Sequence, residues 1–265
     1  KKKYKNRFVF ENIKFSQIND LKINKENLRA VIFDLGYSLN QMKDPNKGLS
    51  FSSTGDLNMQ MGLNDFSATD VVNKLSEQNI EKILRYFGEE KKSKLIAKKI
   101  SFRRKNSKIG TQDLVKIIEI IKKGKKTKIH NSTKVFQALR IFVNKEISEL
   151  MYGLINSFKI LPIGGMIIVI TFHSIEDKIV KFFFKNYSQK KNSSRYLPDN
   201  IQAEKLFNLF KKKHLIPSEK ELKENLSSRS AKMRCAVKVK NSNNFEDFFR
   251  KFEYLIDVEN LSKEL

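Results

Sequence analysis

Asp34 stands at the end of a short apolar run and two residues before a glycine, a pattern typical of cofactor sites in α/β proteins. The run, AVIF at 30–33, predicts a strand buried on both faces, as in a parallel sheet. Ligands of open α/β sheets bind just beyond the carboxyl ends of the strands. A carboxylate there, with Gly36 allowing close approach of the backbone, therefore predicts contact with a nucleotide-like cofactor. The same pattern also fits a strand that simply ends in a polar turn.

His173 follows a second apolar run, residues 166–172, which predicts another buried strand. Parallel neighbours end at the same edge of a sheet, so His173 is expected beside Asp34. A histidine at that edge can line a site or can serve as a hydrogen-bonded structural residue. Both interpretations remain open from the residues alone.

The chain is strongly basic, and the excess charge is concentrated in one stretch. The 265 residues carry a formal net charge of +24, and residues 91–134 contribute +14 of it, from 16 basic and 2 acidic residues. Such a block favours a polyanionic partner, with nucleic acid first and an anionic membrane surface second. The predicted RNA-binding residues are Lys98, Lys99, Arg103, Arg104, Lys105, Lys125 and Lys126.

Composition excludes several other classes of protein. One cysteine, Cys235, cannot form an internal disulfide, and with three histidines it makes a zinc site improbable, so no metal is expected. The apolar run 166–172 is too short to span a bilayer, and the first residues contain no signal peptide. We therefore expect a soluble protein of a reducing compartment, the cytoplasm.

The elements that must position these residues alternate between strand and helix. Strands are predicted at 7–10, 29–34, 166–172 and 233–239, and a long irregular loop at 40–64. Helices are predicted in three segments between 67 and 122, as one long helix over 130–158, and at 177–185 and 205–213. Residues beyond 239 are expected to form a polar tail. The order predicts an α/β domain with a basic helical insertion.

Several separated segments resemble one known family, the RsmH (MraW) family of S-adenosylmethionine-dependent methyltransferases. The longest matches are FQALRIFVN at 136–144 and FHSIED at 172–177. The other segments are DLGYSLNQ at 34–41, KGLSF at 47–51, residues 87–100, the remainder of 130–146 and of 164–177, and SRSAKMR at 228–234. They follow the family's order along nearly the whole chain.

The resemblance implies a class I methyltransferase, a Rossmann-like doubly wound sheet with an inserted all-helical subdomain. The methyltransferase domain is expected to comprise residues 1–64 and 130–265, and the insertion, for substrate recognition, residues 65–129. The implied activity is methylation of the exocyclic N4 amine of a cytidine in the decoding region of 16S rRNA. The implied cofactor is S-adenosyl-L-methionine, and the implied partner is 16S rRNA or the small ribosomal subunit, not a membrane.

By the same resemblance, Phe15, Asp34 and Gln41 match the family's cofactor contacts. Asp34, Tyr37 and His173 are the candidate catalytic residues: Asp34 can accept a hydrogen bond from the amine, and Tyr37 can stack on a base. The DLGY segment also resembles the D-P-P-Y pattern of amino-methyltransferases, a short match.

The sequence departs from the family at three places. Tyr37, Leu39 and Asn40 replace a Val, a Ser and a Pro, and the family's PLDMRMD loop is DLNMQMG at 56–62. The family's first strands, with the glycine-rich loop that holds the cofactor, have no counterpart, so the chain is expected to be truncated at its N-terminus. An alternative function is therefore a non-catalytic RNA-binding remnant.

Overall fold

The computed structural model describes residues 7–53, 55–62, 65–123, 130–189 and 205–265. Its strands are β1 Ala30–Asp34, β2 Met166–Thr171, β3 Phe207–Leu209 and β4 Lys232–Lys238. Its α-helices are α1 Leu39–Lys43, α2 Ala68–Lys74, α3 Glu77–Gly88, α4 Ser93–Arg103, α5 Thr111–Lys122, α6 Thr133–Asn144, α7 Glu146–Ile160, α8 Ser174–Ser188, α9 Glu219–Glu224 and α10 Glu246–Asn260. Short 3-10 helices lie at Phe15–Asp20, Lys25–Asn27, Pro45–Lys47, Leu226–Ser230 and Leu261–Glu264.

The four strands form one sheet in the order β1-β2-β4-β3. β1 and β2 are parallel, with Asp34 opposite Ile170, and β4 runs antiparallel to both β2 and β3. Helices α2 to α6 lie in the chain between β1 and β2, so a large helical segment separates two hydrogen-bonded neighbours. The predicted α/β order with a helical insertion agrees with this topology.

One face of the sheet is buried and the other is partly open. Val31 and Phe33 of β1 are buried, whereas Ile32 between them is 65% exposed. In β2, Ile167 and Val169 are buried, and Ile168 is only partly so. The prediction that the first strand is buried on both faces is therefore wrong, because the contacts that bury it come from one side, where Phe33 meets Phe15 and α7.

The region between residues 67 and 122 contains four helices where three were predicted, but α2 and α5 begin where the sequence predicts. Ser67 caps α2, because its Oγ accepts the N–H of Asp70 while the Asp70 carboxylate accepts the N–H of Ser67. The described part of the chain has one continuous hydrophobic cluster, which joins these helices to those beside the sheet. Among the described residues, no helix is both long enough and apolar enough to cross a membrane.

Several other predicted elements differ from the structure. The strand predicted at 7–10 is absent, since residues 8–14 form no regular element and pair with no strand of the described sheet. The helix predicted at 205–213 contains β3, since pairing with β4 buries Phe207 among Phe158, Phe183 and Phe184. The residues expected to be a polar tail include α10, an amphipathic helix.

The long helix predicted over 130–158 is in fact two helices, α6 and α7. They meet at Lys145, which adopts the left-handed conformation with φ of +50°. A continuous amphipathic stripe fits both arrangements, so periodicity alone could not distinguish them.

Charged side chains from distant parts of the chain cap both ends of α7. At its start, the Glu259 carboxylate accepts the backbone N–H groups of Ile147 and Ser148 at 2.8 and 3.0 Å. At its end, Lys238 Nζ donates to the carbonyls of Phe158 and Leu161, each at 2.7 Å. The helix dipole favours the positive charge of Lys238 at the end of α7, and it favours Glu259 at the start when that carboxyl is ionised.

The raised pKa of Glu259 predicts a specific pH dependence of the free energy of unfolding. Burial raises the pKa of Glu259 to about 7 from an ordinary 4.5, with the nearby Glu146 adding to the shift and the N–H groups of α7 opposing it. The folded protein thus keeps a proton that the unfolded chain loses near pH 4.5. The stabilisation is complete below that pH and is lost as the pH rises through 7.

We expect the free energy of unfolding of the wild type, relative to Glu259→Gln, to fall by about 2–3 kcal/mol between pH 4.5 and pH 7.5. Urea unfolding of both proteins across this range measures the difference. Glu253→Gln, an exposed position on the same helix, should follow the wild type at every pH. A constant difference between wild type and Glu259→Gln would contradict the assignment.

Candidate active site

The candidate site lies where β1 and β2 end side by side. The N–H of Leu35 donates to the carbonyl of Ile170 at 3.1 Å, so pairing continues one residue beyond Asp34. Gly36 then turns the chain with φ of +116°, a conformation that favours glycine, and Phe172 lies beside it. The two predicted site segments are therefore adjacent, as expected from a parallel pair.

Asp34 is exposed at the carboxyl end of β1. It alternates with the buried Val31 and Phe33, so it shares the open face of the sheet with Ile32. A carboxylate in this position can accept hydrogen bonds from a ligand at the end of the strands.

Phe15 packs on the opposite face of the same strand. Its ring meets Phe33 edge to face, with centroids 5.4 Å apart. Gly153 of α7 packs closely against both side chains: a Cβ added to it would lie 3.0 Å from Phe15 and 3.1 Å from Phe33. Phe15 nevertheless stays 43% exposed. One part of the Phe15 ring therefore packs on Phe33, and the exposed part can contact a ligand.

Gln41 fixes the loop between β1 and α1. Its side-chain oxygen accepts the N–H of Ser38 at 3.0 Å, and its own N–H donates to Ser38 Oγ at 3.2 Å. This capping box uses only the oxygen of the Gln41 side chain, so the side-chain NH₂ group of Gln41 can donate to a ligand.

Tyr37 is half-buried, and one face of its ring is covered by Arg140. The guanidinium carbon lies 4.9 Å from the ring centroid, a cation–π contact. The ring also packs against the hydrophobic cluster, so these two contacts hold its orientation.

Arg140 in turn forms a bidentate ion pair with Glu146. Nε and Nη2 donate to the two carboxylate oxygens at 2.8 and 2.9 Å, and both side chains are largely buried. Burial alone would lower the pKa of Arg140, but Glu146 and, more weakly, Glu176 raise it above its ordinary value. The pair keeps a buried positive charge beside the site.

Sequence reasoning missed Arg140 and Glu146 because it placed them on one continuous helix. Residues six apart on an α-helix lie about 240° apart around the axis, on different faces. The break between the helices at Lys145 brings the two side chains together. The one local signal for a helix end was Asn144 beside Lys145, since asparagine is common near such ends.

Asn144 holds the irregular loop against this junction. Its side-chain oxygen accepts the N–H of Met61 at 2.9 Å, and its NH₂ group donates to the carbonyls of Met59 and Arg140. Met59 is fully buried and has a φ of +61°. Met61 packs against the same hydrophobic cluster, so both methionines anchor the loop.

His173 is the N-cap of α8. Its Nδ1 accepts the N–H of Glu176 at 3.4 Å, and Glu176 accepts the N–H groups of Phe172 and His173. His173 Nε2 also lies 3.0 Å from the Glu176 carboxylate, but off the line of a hydrogen bond. Burial would raise the pKa of Glu176, but His173, Arg140 and the Phe172 N–H lower it. These contacts favour a structural histidine; a catalytic role stays a prediction.

Glu146, His173 and Glu176 lie close enough together to suggest a metal site. Most of their carboxylate oxygens, however, are already engaged within the protein, although His173 Nε2 has no hydrogen-bond partner among the described residues. Both Glu146 oxygens accept from Arg140, and Glu176 binds two backbone N–H groups. The guanidinium would also repel a cation, so we interpret the cluster as an ion-pair network.

The KMR segment of β4 anchors the start of α8. Arg234 Nε donates to Asp177 at 2.8 Å, and Lys232 Nζ lies 3.5 Å from the same carboxylate. Thr171 Oγ1 donates to the carbonyl of Lys232 at 3.2 Å. These contacts hold the end of β2 and the start of α8 against β4.

The predicted RNA-binding residues fall into different groups. Lys98, Lys99 and Lys105 are exposed. Arg104 instead donates to the carbonyls of Val72 and Leu75 at the end of α2, and Arg103 lies 3.7 Å from Asp113. Lys125 and Lys126 lie outside the described residues.

A parallel pair joined to an antiparallel strand, an acid at the end of β1 and a helical insertion after it agree with the class I methyltransferase domain that the resemblance implies. The chain belongs to the MraW methylase family, whose model matches residues 1–239.

Curated relatives agree with this assignment. A "Ribosomal RNA small subunit methyltransferase H" of Bartonella bacilliformis is 41% identical over 84% of this chain and 68% of its own length. Proteins of the same name from Sinorhizobium fredii and Ehrlichia canis are each 39% identical, over 85% and 89% of this chain and 66% and 79% of their own lengths. The chain thus spans about two thirds to four fifths of these relatives.

The Arg140–Glu146 pair predicts a large effect of removing one partner. Glu146→Gln leaves the buried guanidinium without a counter-charge, so we expect a loss of about 3 kcal/mol in the free energy of unfolding. Urea unfolding at neutral pH measures it. The double variant Arg140→Met with Glu146→Leu should regain much of this loss, because no unpaired charge remains. A loss no larger than that of Glu253→Gln would contradict a central role for the pair.

Proposed function

We propose that this protein transfers a methyl group from S-adenosyl-L-methionine to the exocyclic N4 amine of a cytidine in small-subunit (16S) rRNA. The observation that carries the proposal is the exposed carboxylate of Asp34 at the carboxyl end of β1, beside the Gly36 turn, in a member of a methylase family. The names of its relatives support rRNA of the small subunit as the substrate.

We call the edge where β1 and β2 end the mouth of the site; Asp34 and Phe15 flank it on opposite faces of β1. Phe15 offers an exposed aromatic surface for the adenine, Asp34 offers an acceptor, and Gln41 offers an amide donor on a capped loop. Bound S-adenosyl-L-methionine supplies an electrophilic methyl group. The 265 residues contain no G-x-G-x-x-G pattern, so the proposed contacts are limited to these three.

The reaction needs help because the N4 lone pair of cytosine is delocalised into the ring. The protein must hold the base out of its stack and aim N4 at the methyl group. Asp34 is proposed to accept hydrogen bonds from the amine as positive charge develops, or to hold the cofactor. Tyr37, held by Arg140 and partly exposed, is proposed to stack on the base. His173 is proposed to shape the mouth through α8.

We further propose that residues 65–129 form a substrate-recognition domain and that residues 1–64 and 130–265 form the methyltransferase domain. Exposed lysines of the insertion would contact phosphates and position the RNA without selecting its sequence. The insertion follows β1, and Glu89 at the end of α3 pairs with Ser174 and Lys178 of α8. RNA bound by the insertion would therefore lie next to the mouth. The expected compartment is the cytoplasm, where small subunits are assembled.

Replacing Asp34 tests the assignment. Asp34→Ala should bind S-adenosyl-L-methionine about 10- to 100-fold more weakly, because it loses one hydrogen bond to a charged group. It should also lose methyl transfer. Calorimetry measures the binding, and tritium transfer to small ribosomal subunits and to naked 16S rRNA measures the activity.

Asp20→Ala removes an exposed carboxylate from the 3-10 helix after Phe15 and is the matched control. Near-normal transfer by Asp34→Ala would refute the role of Asp34. Tight RNA binding by the wild type without any cofactor binding would instead support the alternative, a non-catalytic RNA-binding protein.

A further inference from the structure

One exposed face of α4 combines apolar and basic side chains. Leu95, Lys98, Lys99 and Phe102 recur at steps of one, three and four residues, so they share one side of the helix. We call these four residues the α4 outer face. Leu95 is 56% exposed and Phe102 61% exposed, whereas Ile96 and Ile100 on the opposite side are fully buried.

The α4 outer face is not required for packing of the insertion. The buried side of α4 already contributes Ile96, Ala97 and Ile100 to the hydrophobic cluster. Exposing two large apolar side chains beside lysines yields no stability, so their position suits contact with a partner.

The charge of the surrounding surface indicates a polyanion. Residues 91–108 contain nine basic residues and no acid. The Lys99 ammonium lies 5.5 Å from the centre of the Phe102 ring, which places a positive charge beside an aromatic surface. Proteins that bind single-stranded nucleic acid combine these two features: bases stack on aromatic rings, and cations contact the phosphates.

Two other occupants fit this face less well. A second copy of the chain would oppose the same lysines across a symmetric contact, and like charges repel. A membrane surface would accept Leu95 and Phe102, but Lys98 and Lys99 lie between them on the same stripe. Inserting the apolar side chains would carry the ammonium groups toward hydrocarbon.

We propose that the α4 outer face is a docking surface for single-stranded RNA. Phe102 stacks on an unpaired base, and Lys98 and Lys99 form ion pairs with the flanking phosphates. The inference rests on the proposed rRNA substrate, because it assigns that substrate a second contact away from the strand ends. It requires an unpaired segment of RNA, since bases inside a duplex cannot reach the ring.

Salt-dependent binding of a fluorescent single-stranded RNA, followed by anisotropy, separates stacking from charge. Phe102→Ala should weaken binding about 5- to 100-fold at every salt concentration and leave the slope of log affinity against log salt unchanged. Lys98→Ala should reduce that slope by about 1. Phe102→Tyr should bind as the wild type does, because it keeps a ring for stacking.

Matched controls lie near the end of α7, away from this face. Ile163→Ala removes an apolar side chain of similar exposure, 60%, and Lys159→Ala removes an exposed lysine. Both should bind RNA as the wild type does. Thermal unfolding of Phe102→Ala should match that of the wild type, since the side chain is mostly exposed.

Unchanged RNA affinity of Phe102→Ala would overturn the proposal. So would a Phe102-dependent dimer in light scattering, or Phe102-dependent binding to anionic vesicles with RNA binding unaffected. The assay needs no methyl transfer, so its outcome is independent of the Asp34 experiment. Loss of RNA affinity in Phe102→Ala would support the surface even if the proposed reaction failed.

Discussion

The arrangement of the candidate site depends on one buried ion pair, Arg140 with Glu146. The pair spans the junction between α6 and α7, and α7 packs against the sheet. Because the guanidinium also lies over Tyr37, a change in this junction would move the loop after β1. A buried charge pair adds little net stability, but its geometry is specific. Its value here is that it fixes the direction of two helices and one ring.

Further contacts extend from the same junction. Asn144 ties the loop around Met59 to the end of α6, and Glu176 joins the end of β2 to the start of α8. Glu89 of the insertion reaches Ser174 and Lys178 on α8. The insertion is thus connected to the sheet by polar contacts at the mouth as well as by the shared core. That arrangement places a basic surface beside the ends of β1 and β2.

The elements that sequence reasoning identified are those with a strong local signal. The strand before Asp34, the capped start of α2 and the strand before His173 all combine apolar pattern with clear end residues. The predictions of secondary structure were wrong where tertiary contacts overrode the local conformational preference of the chain. Phe207 lies in a strand because β4 offers a partner, and α10 is a helix whose buried Phe248, Phe252 and Leu255 face the core.

By itself, the sequence determined the α/β order, the basic insertion, the position of Asp34 at the end of a strand and, through its motifs, the family. These follow from local pattern and residue identity, which act within a few positions of the chain. Only the tertiary structure decided that α6 and α7 are separate, that Arg140 lies on Tyr37, that His173 caps α8 and that Arg104 caps α2. Each of these features depends on groups that only folding brings together, or on the backbone angle of one residue. Such features produce no periodic pattern in the sequence, so the sequence alone does not predict them.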